Sequence, residues 1–529
     1  MKCFNTTGVC IPTKHYMVDL TERVQEIKKL VDAGKYFTIN RARQYGKTTT
    51  LYALSRELET DYVVFSFSFE GISGNSFSTE EKFVKSFCWQ IKKKPLLYSH
   101  LPDIIKAKTE EFLRRDEQEA GLDELSLLFI EWIEHSDKPI VMIIDEVDSA
   151  TNNQVFLDFL AQLRNSYMNR EMGEAPAFQS VILAGVTDVK HLKSKIRDGE
   201  ETKENSPWNI AADFKIDMSL SEKGIKGMLD EYETDHHTGM DTEAVAKQIR
   251  IYTNGYPFLV SRICELLDAG EWNNDVSEWT NDAVEMAVKT IVVEKNTLFD
   301  SIMGKVKDYH GLKRQLESIL LRGETIEYLP DNREQEQLEM YGLIINRDNT
   351  VAVSNRIFEM RLYKYFLGES RFAEELRGVA LDNKPAFTKG GELNLPLIME
   401  RFIETQKYIR KQNDEEAEKR FIEEEGREKF LTFLSPIING TGTFSVESQT
   451  RDRKRMDVVI HYYGKLYIIE LKIWHGVKYN EEGERQVSEY LDSFGLKTGY
   501  MLTFSFNKNK ETGVHAVRFG DKMIYEGIV

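Results

Sequence analysis

Between residues 21 and 33 the apolar positions Val24, Ile27, Leu30 and Val31 recur at three- and four-residue spacing, which predicts an amphipathic helix, and Gly34 stops it. Short apolar runs follow at 35–40, 62–69, 139–144, 180–185 and 214–220, each read as a strand. Helical spacing separates several of them, at 48–58, 79–92 and 122–135. Strands alternating with helices predict a three-layer α/β domain with a largely parallel sheet.

The pattern then changes. Residues 282–321 are helical in spacing, and the runs 342–345 and 350–353, joined by Arg347, Asp348 and Asn349, read as a β-hairpin. Residues 370–427 are strongly charged, with Glu423, Glu424 and Glu425 in succession. They read as a solvated helix or helical connector broken near Pro385 and Gly390. Beyond it, a helix at 427–438, strands at 443–448, 456–463 and 466–474, and a helix at 482–494 predict a second, smaller α/β domain.

Composition narrows the class. A chain of 529 residues is too long for one core, since domains average roughly 150 residues. With 41% hydrophobic and 30% charged residues it reads as soluble and globular. No apolar run approaches the roughly 20 residues of a membrane span. The N-terminus lacks a secretory layout, so the cytoplasm is the expected compartment and no membrane is expected. Cys3, Cys10, Cys88 and Cys264 are too few and too scattered for a disulfide framework or a zinc site, and read as reduced thiols. A net charge of −17 argues against bulk electrostatic coating of nucleic acid, so any such contact must use a local patch.

Candidate chemistry begins at the end of the first predicted strand. Arg43, Gln44, Tyr45, Gly46, Lys47, Thr48 and Thr49 stand where a phosphate-binding loop opens a helix, but Arg41 occupies the position of that motif's first glycine. In such a loop, backbone N–H groups and the helix N-terminus cradle phosphates, the lysine reaches the outer phosphates, and the hydroxyl holds Mg2+. An ordinary helix start after a turn is the bland reading. The run 139–144 ends in Asp145 and Glu146. Two carboxylates at a strand tip suit a second nucleotide motif, with Asp145 toward Mg2+ and Glu146 toward an attacking water. A buried strand with an acidic cap is the alternative. At the tip of 180–185, Thr187 is the candidate phosphate contact, or Thr187 and Asp188 simply cap the helix that follows.

With His15, Tyr16, Met17, Val18 and Asp19 ahead of the loop, residues 206–211 (Ser-Pro-Trp-Asn-Ile-Ala) and residues 253–259 (Thr-Asn-Gly-Tyr-Pro-Phe-Leu), the stretch 1–365 resembles the AAA-like, STAND-related ATPase domains of bacteria. That resemblance implies ATP and Mg2+ as cofactors, Thr187 as a γ-phosphate sensor, a helical lid over 221–270, and Arg262 as a second sensor. It also implies Arg164 or Arg170 as an arginine finger across a homo-oligomer interface, and a winged helix at 281–366 acting as a switch. A surface ion pair is the plain alternative for Arg262.

In the last domain, Asp457 precedes Glu470 and Lys472, which share one strand face because residues two apart do so. Gln486 and Tyr490 lie four apart on one helix face. Two carboxylates suit Mg2+, and the lysine suits activation of a water at a phosphodiester. A cross-strand charge pair on a wet hairpin is the alternative. The set resembles the PD-(D/E)xK nuclease superfamily, implying a restriction-endonuclease-like fold in which Asp457, Glu470, Lys472, Gln486 and Tyr490 are catalytic and Asp457 and Glu470 are metal ligands. Glu428 is a further candidate acid. Arg451, Arg453, Lys454 and Arg455 offer the local basic patch, as a phosphate-contacting loop or merely an exposed one.

The domains expected are 1–220 (ATPase), 221–280 (lid), 281–366 (winged helix), 367–425 (connector) and 426–529 (nuclease-like). The leading expectation is an ATPase controlling a Mg2+-dependent nuclease, with DNA favoured over RNA and a defence role by analogy. The rivals are a signalling or scaffold ATPase whose last domain only binds, and a winged-helix transcription regulator.

Overall fold

The computed structural model describes residues 2–115, 121–187, 189, 207–270, 279–321, 324–369, 373–412, 423–439, 442–449, 455–474, 477–505 and 511–529. Asp188, Ser206, Arg451, Arg453 and Lys454 lie outside the described residues. The chain forms two compact units, residues 1–291 with 296–299 and 336–343, and residues 292–295, 300–335 and 344–529.

The first unit opens with α1 (Thr21–Asp32), β1 (Phe37–Asn40), α2 (Lys47–Leu58) and β2 (Val63–Ser68). Helices α3 (Glu80–Lys92), α4 (Pro95–His100), α5 (Asp103–Arg114) and α6 (Leu122–Glu134) lead to β3 (Ile140–Asp145), α7 (Gln154–Met172) and β4 (Ser180–Gly185). The strands pair in parallel in the order β1-β4-β3-β2. Alternate residues of β3 face opposite layers. Val141 and Ile143 pack with Val24, Ile27, Leu51 and Leu54 of α1 and α2. Met142 and Ile144 pack with Phe65, Phe87, Trp132 and Phe156 on the other side. Both faces are dry, which is why β3 reads as an unbroken apolar run. Each such side chain contributes about 1.5–3 kcal/mol on full burial.

The strand expected at 214–220 is not formed. The neighbouring pairing is a single parallel bridge, Phe37 to Ala212. Guanidinium groups take the carbonyls a strand partner would have taken: Arg41 Nη2 donates to Ile216 O (2.9 Å) and Arg23 Nη2 to Ser219 O (2.9 Å). The alternating pattern is still satisfied, because Phe214 and Ile216 pack on the α1–α2 core and Met218 belongs to it.

Helices α8 (Glu222–His236), α9 (Thr242–Thr253) and α10 (Pro257–Ala269) follow, then α11 (Asn281–Val293), α12 (Thr297–Asp308), α13 (His310–Leu320) and α14 (Arg333–Met340). In the second unit, β5 (Ile344–Arg347) and β6 (Thr350–Val353) pair as the expected hairpin, with Asp348 and Asn349 at positive φ in its turn. After α15 (Arg356–Glu369), the charged stretch differs from a solvated connector. It folds as α16 (Ala373–Phe387), a small hairpin of β7 (Thr388–Lys389) and β8 (Glu392–Leu393), and α17 (Leu395–Gln412), burying Leu376, Phe387, Ile398, Phe402 and Ile403. The apolar face is interspersed with charges that mask it in the sequence.

The rest is α18 (Glu423–Ile438), β9 (Gly442–Gln449), β10 (Arg455–Tyr462), β11 (Lys465–Ile473), α19 (Val477–Phe494), β12 (Thr498–Phe504), β13 (Gly513–Phe519) and β14 (Lys522–Ile528). The sheet order is β13-β14-β12-β11-β10-β9, with β11, β12 and β14 parallel and the outer pairs antiparallel. Two glycines let helices approach it closely. A Cβ on Gly499 would meet Val487 of α19, and one on Gly527 would lie 2.8 Å from Met399 of α17.

Candidate functional site

The loop after β1 explains the arginine at position 41. Positive φ falls at Gln44 (56°) and Gly46 (79°), not at Arg41, so a side chain there is unstrained. Its guanidinium leaves the loop, donating to the carbonyls of Asn40 (2.8 Å) and Ile216 and lying 5.4 Å from the centre of the Phe214 ring. Burial holds its pKa below the usual arginine value. Arg41 braces the loop from outside it.

Inside the loop, Lys47 is buried and its Nζ donates to the carbonyls of Arg41 (3.0 Å) and Ala42 (3.1 Å). Burial lowers its pKa, while Glu146, Asp145 and Asp148 pull the other way. Thr48 Oγ1 donates to Asp145 Oδ2 at 2.7 Å, joining residues 97 positions apart. Thr49 Oγ1 accepts the Cys10 N–H (3.1 Å), so the N-terminal arm rests on the first turn of α2. The first N–H groups of a helix have no intrahelical partner, which is what anion binding at a helix N-terminus uses.

At the tip of β3, Asp145 Oδ1 accepts the Glu146 N–H (2.9 Å), and Glu146 turns the chain at φ 53°. Burial raises the Glu146 carboxyl, opposed by Lys47. Asp148, to which the sequence reading gave no role, accepts the backbone N–H of Val186 (Oδ2, 2.7 Å) and of Thr187 (Oδ1, 2.7 Å). Gly185 makes this possible, since a Cβ there would sit 3.0 Å from Asp148 Oδ2. The residue three after Asp145 and the glycine ending β4 were the available signal.

The start of α10 grips the same loop. The Tyr256 hydroxyl donates to the Arg43 carbonyl, its ring meets Tyr45 edge-on at 4.8 Å, and Pro257 lies beside Gly46. Gly342 approaches Ala42 and the Tyr256 ring, and Gln44 Nε2 donates to Thr297 Oγ1 (3.3 Å). Arg262 pairs with Glu265 (2.7 Å), whose carboxylate also accepts from Thr6. Arg170 is spent internally: it donates to the carbonyls of Gly34, Phe178 and Gln179, with Tyr36 and Tyr167 against its guanidinium. Arg164 is exposed on α7. A cleft of about 1150 Å³, bordered by Cys10, Met17, Arg23, Tyr52 and Asp217, excludes Lys47, Thr48 and Asp145.

The second unit carries the other cluster. Asp457 precedes the first β10–β11 pair, Val458 with Ile469, and its Oδ2 accepts the Leu471 N–H at 2.7 Å. Arg427 of α18, 3% exposed, places Nη2 3.5 Å from Asp457 Oδ1. Burial raises the Asp457 carboxyl, and Arg427, the Leu471 N–H and Lys472 oppose that rise. Glu470 is buried, with Oε1 2.9 Å from Lys472 Nζ. This face meets α19, where a Cβ on Gly483 would lie 3.6 Å from Lys472 Cγ. Gln486 is half-buried, whereas Tyr490 is buried with Val459, Ile468 and Met501. Glu428 is half-buried; it is Arg427, not singled out from sequence, that reaches Asp457. Among the described residues no group of three or more His, Cys, Asp or Glu side chains is arranged to hold a metal. No helix among them is long and apolar enough to cross a membrane.

Residues 9–367 match the family model described as AAA-like domain. An uncharacterized WD repeat-containing protein of Synechocystis is 24% identical over 369 residues, 66% of this chain, and the chain spans 29% of that relative's length. A Walker-type ATPase of Pyrococcus abyssi is similar over 68% of this chain and 99% of its own, at 14% identity and a TM-score of 0.44. The Aeropyrum pernix ORC1 protein in complex with DNA covers 66% and is covered over 93%, at 10% identity and a TM-score of 0.31. The Thermotoga maritima RuvB Holliday junction branch migration motor covers 64% and is covered over 92%, at 12% identity and a TM-score of 0.32. Likenesses this distant leave the site's own geometry as the ground for its chemistry.

Proposed function

Because the chain belongs to the AAA-like domain family, we propose that its first unit binds ATP with Mg2+ at the loop 41–48 and hydrolyses it. The supporting observation is the Thr48 hydroxyl on the Asp145 carboxylate at 2.7 Å, directly after Lys47 in the chain. Thr48 and Asp145 would hold Mg2+, whose charge neutralises the phosphate oxygens. Lys47 exchanges its loop carbonyls for phosphate, and the loop and α2 N–H groups take the remaining oxygens. Glu146, its carboxyl raised by burial, orients and deprotonates the attacking water. Thr187 reads the γ-phosphate from the turn that Asp148 fixes. Arg262 serves as second sensor once it leaves Glu265. Self-association through the ATPase unit and residence in the cytoplasm belong to this reading.

In the second unit the reading is a nuclease governed by the ATP state, acting on DNA in preference to RNA, with a defence role by analogy. Asp457 and Glu470 would hold Mg2+, Lys472 positions the water, and Gln486 and Tyr490 support the site from α19. Supporting it is the placement of Asp457 beside the strand carrying Glu470 and Lys472. A second reading, nucleic acid or partner binding without cleavage, draws on one observation. Both carboxylates already face cations, Asp457 with Arg427 and Glu470 with Lys472.

The test uses the full chain. Fluorescent ATP should bind the wild type and lose at least about a hundredfold in affinity in Lys47→Ala, as expected for a lost charged phosphate contact. Equal binding sinks the nucleotide reading. Plasmid and RNA incubated with Mg2+, with and without ATP, should be cut by the wild type and spared by Asp457→Ala and Lys472→Ala. Identical products from all three sink the nuclease reading. Binding without cutting selects the second.

A further inference from the structure

A loop that binds phosphate must turn its N–H groups inward, and each planar trans peptide then turns its carbonyl outward. Outward carbonyls need partners of their own when buried. In the loop after β1, the Arg41 and Ala42 carbonyls are the exception, turned to Lys47 Nζ inside the loop. The next carbonyl, of Arg43, is taken by the Tyr256 hydroxyl from the start of α10. The peptide it fixes joins Arg43 to Gln44, the residue at which a non-glycine side chain is held at φ 56°.

We infer that Tyr256 is a positioning residue for this loop, its hydroxyl holding the Arg43–Gln44 peptide so that the Gln44 N–H faces the phosphate side. The inference rests on the nucleotide reading of the loop. Tyr256 never touches the reacting atoms; it acts through the backbone it holds.

Its own placement is over-determined. Leu220 N–H donates to the Gly255 carbonyl (2.8 Å), and Gly255, at φ 72°, has no Cβ to collide with the Leu220 backbone. Tyr45 packs edge-on at 4.8 Å, and Gly342 lies against the ring. Burial, with Tyr45 adding to it, pushes the phenol pKa up, so the group remains a neutral donor. The run Gly255, Tyr256, Pro257 thus does three tasks in order: close approach, loop grip and helix start.

The test compares wild type, Tyr256→Phe and Lys47→Ala, all full-length, titrated with fluorescent ATP, ADP and AMP, with thermal melting of the free proteins alongside. Tyr256→Phe keeps the ring and removes the hydrogen bond. Expected is a loss of about fivefold in ATP and ADP affinity, the size of one net hydrogen bond. AMP, which reaches the loop least, should change by under about twofold, with the melting curve little altered. ATP binding equal to wild type overturns the inference while the nucleotide reading stands. An equal loss for all three nucleotides also overturns it, because that marks a general packing role. If Lys47→Ala and wild type bind ATP alike, the nucleotide reading fails and the inference falls with it.

Discussion

Asp145 lies at the tip of a parallel strand and receives a neutral hydroxyl, whereas Asp457 lies at the start of an antiparallel pairing and faces a backbone N–H and a guanidinium. The first cluster sets three carboxylates, Asp145, Glu146 and Asp148, around Lys47, with Arg43 as a second cation. Its surplus of negative charge suits a cation and a polyphosphate arriving together. The second balances two carboxylates with two cations, so a divalent ion has to compete with side chains already in place. They also differ in reach. The first cluster brings together residues 41–48, 145–148, 186–187, 256 and 342, while the Asp457 cluster is built from two adjacent strands and one helix. The first is a property of backbone geometry, the second of paired side chains.

The strongest test of that contrast is Gly255→Ala. Its Cβ overlaps the Leu220 carbonyl, and the residue sits at φ 72°, so the first unit should lose about 3 kcal/mol or more. Denaturant melts check this. A loss under about 1 kcal/mol would show that the loop does not depend on that distant backbone.

Next is Arg427→Gln, which leaves the largely covered Asp457 carboxylate without that guanidinium and should cost about 3 kcal/mol at neutral pH. The sign follows from linkage. The folded Asp457 carboxyl lies above its ordinary value of 3.8, so its protonated form favours the fold and that contribution is lost as pH rises through the folded value. Removing Arg427 raises the carboxyl further, so the cost should shrink as pH falls toward about 4. Urea melts at both pH values check it, and a cost independent of pH would separate Arg427 from the charge of Asp457.

The smallest effect is expected of Arg41→Gly. Two carbonyl contacts and a ring contact are lost, worth about 1–2 kcal/mol of stability together, with ATP affinity within about twofold of wild type. A tenfold fall in affinity would make Arg41 a phosphate contact after all.

The apolar runs of β1, β3 and β4 were legible because both of their faces are dry, and Gly46, Lys47 and Thr48 because a loop opening a helix leaves a short signature. The 214–220 segment misled because alternation records which side chains are buried, not which group takes the backbone bonds; here Arg23 and Arg41 do. Arg427 does not stand out from Glu428 in the sequence because a charged helix hides which of its faces meets a sheet. Tyr256 stood within a motif noticed in sequence, but its partner is a backbone carbonyl, which has no sequence signature.

Asp148 has a mechanical consequence. By holding the Val186 and Thr187 amides with both of its oxygens, it welds the turn bearing Glu146 to the end of β4. The two turns share one anchor, so strain applied to either is passed to the other through a single carboxylate.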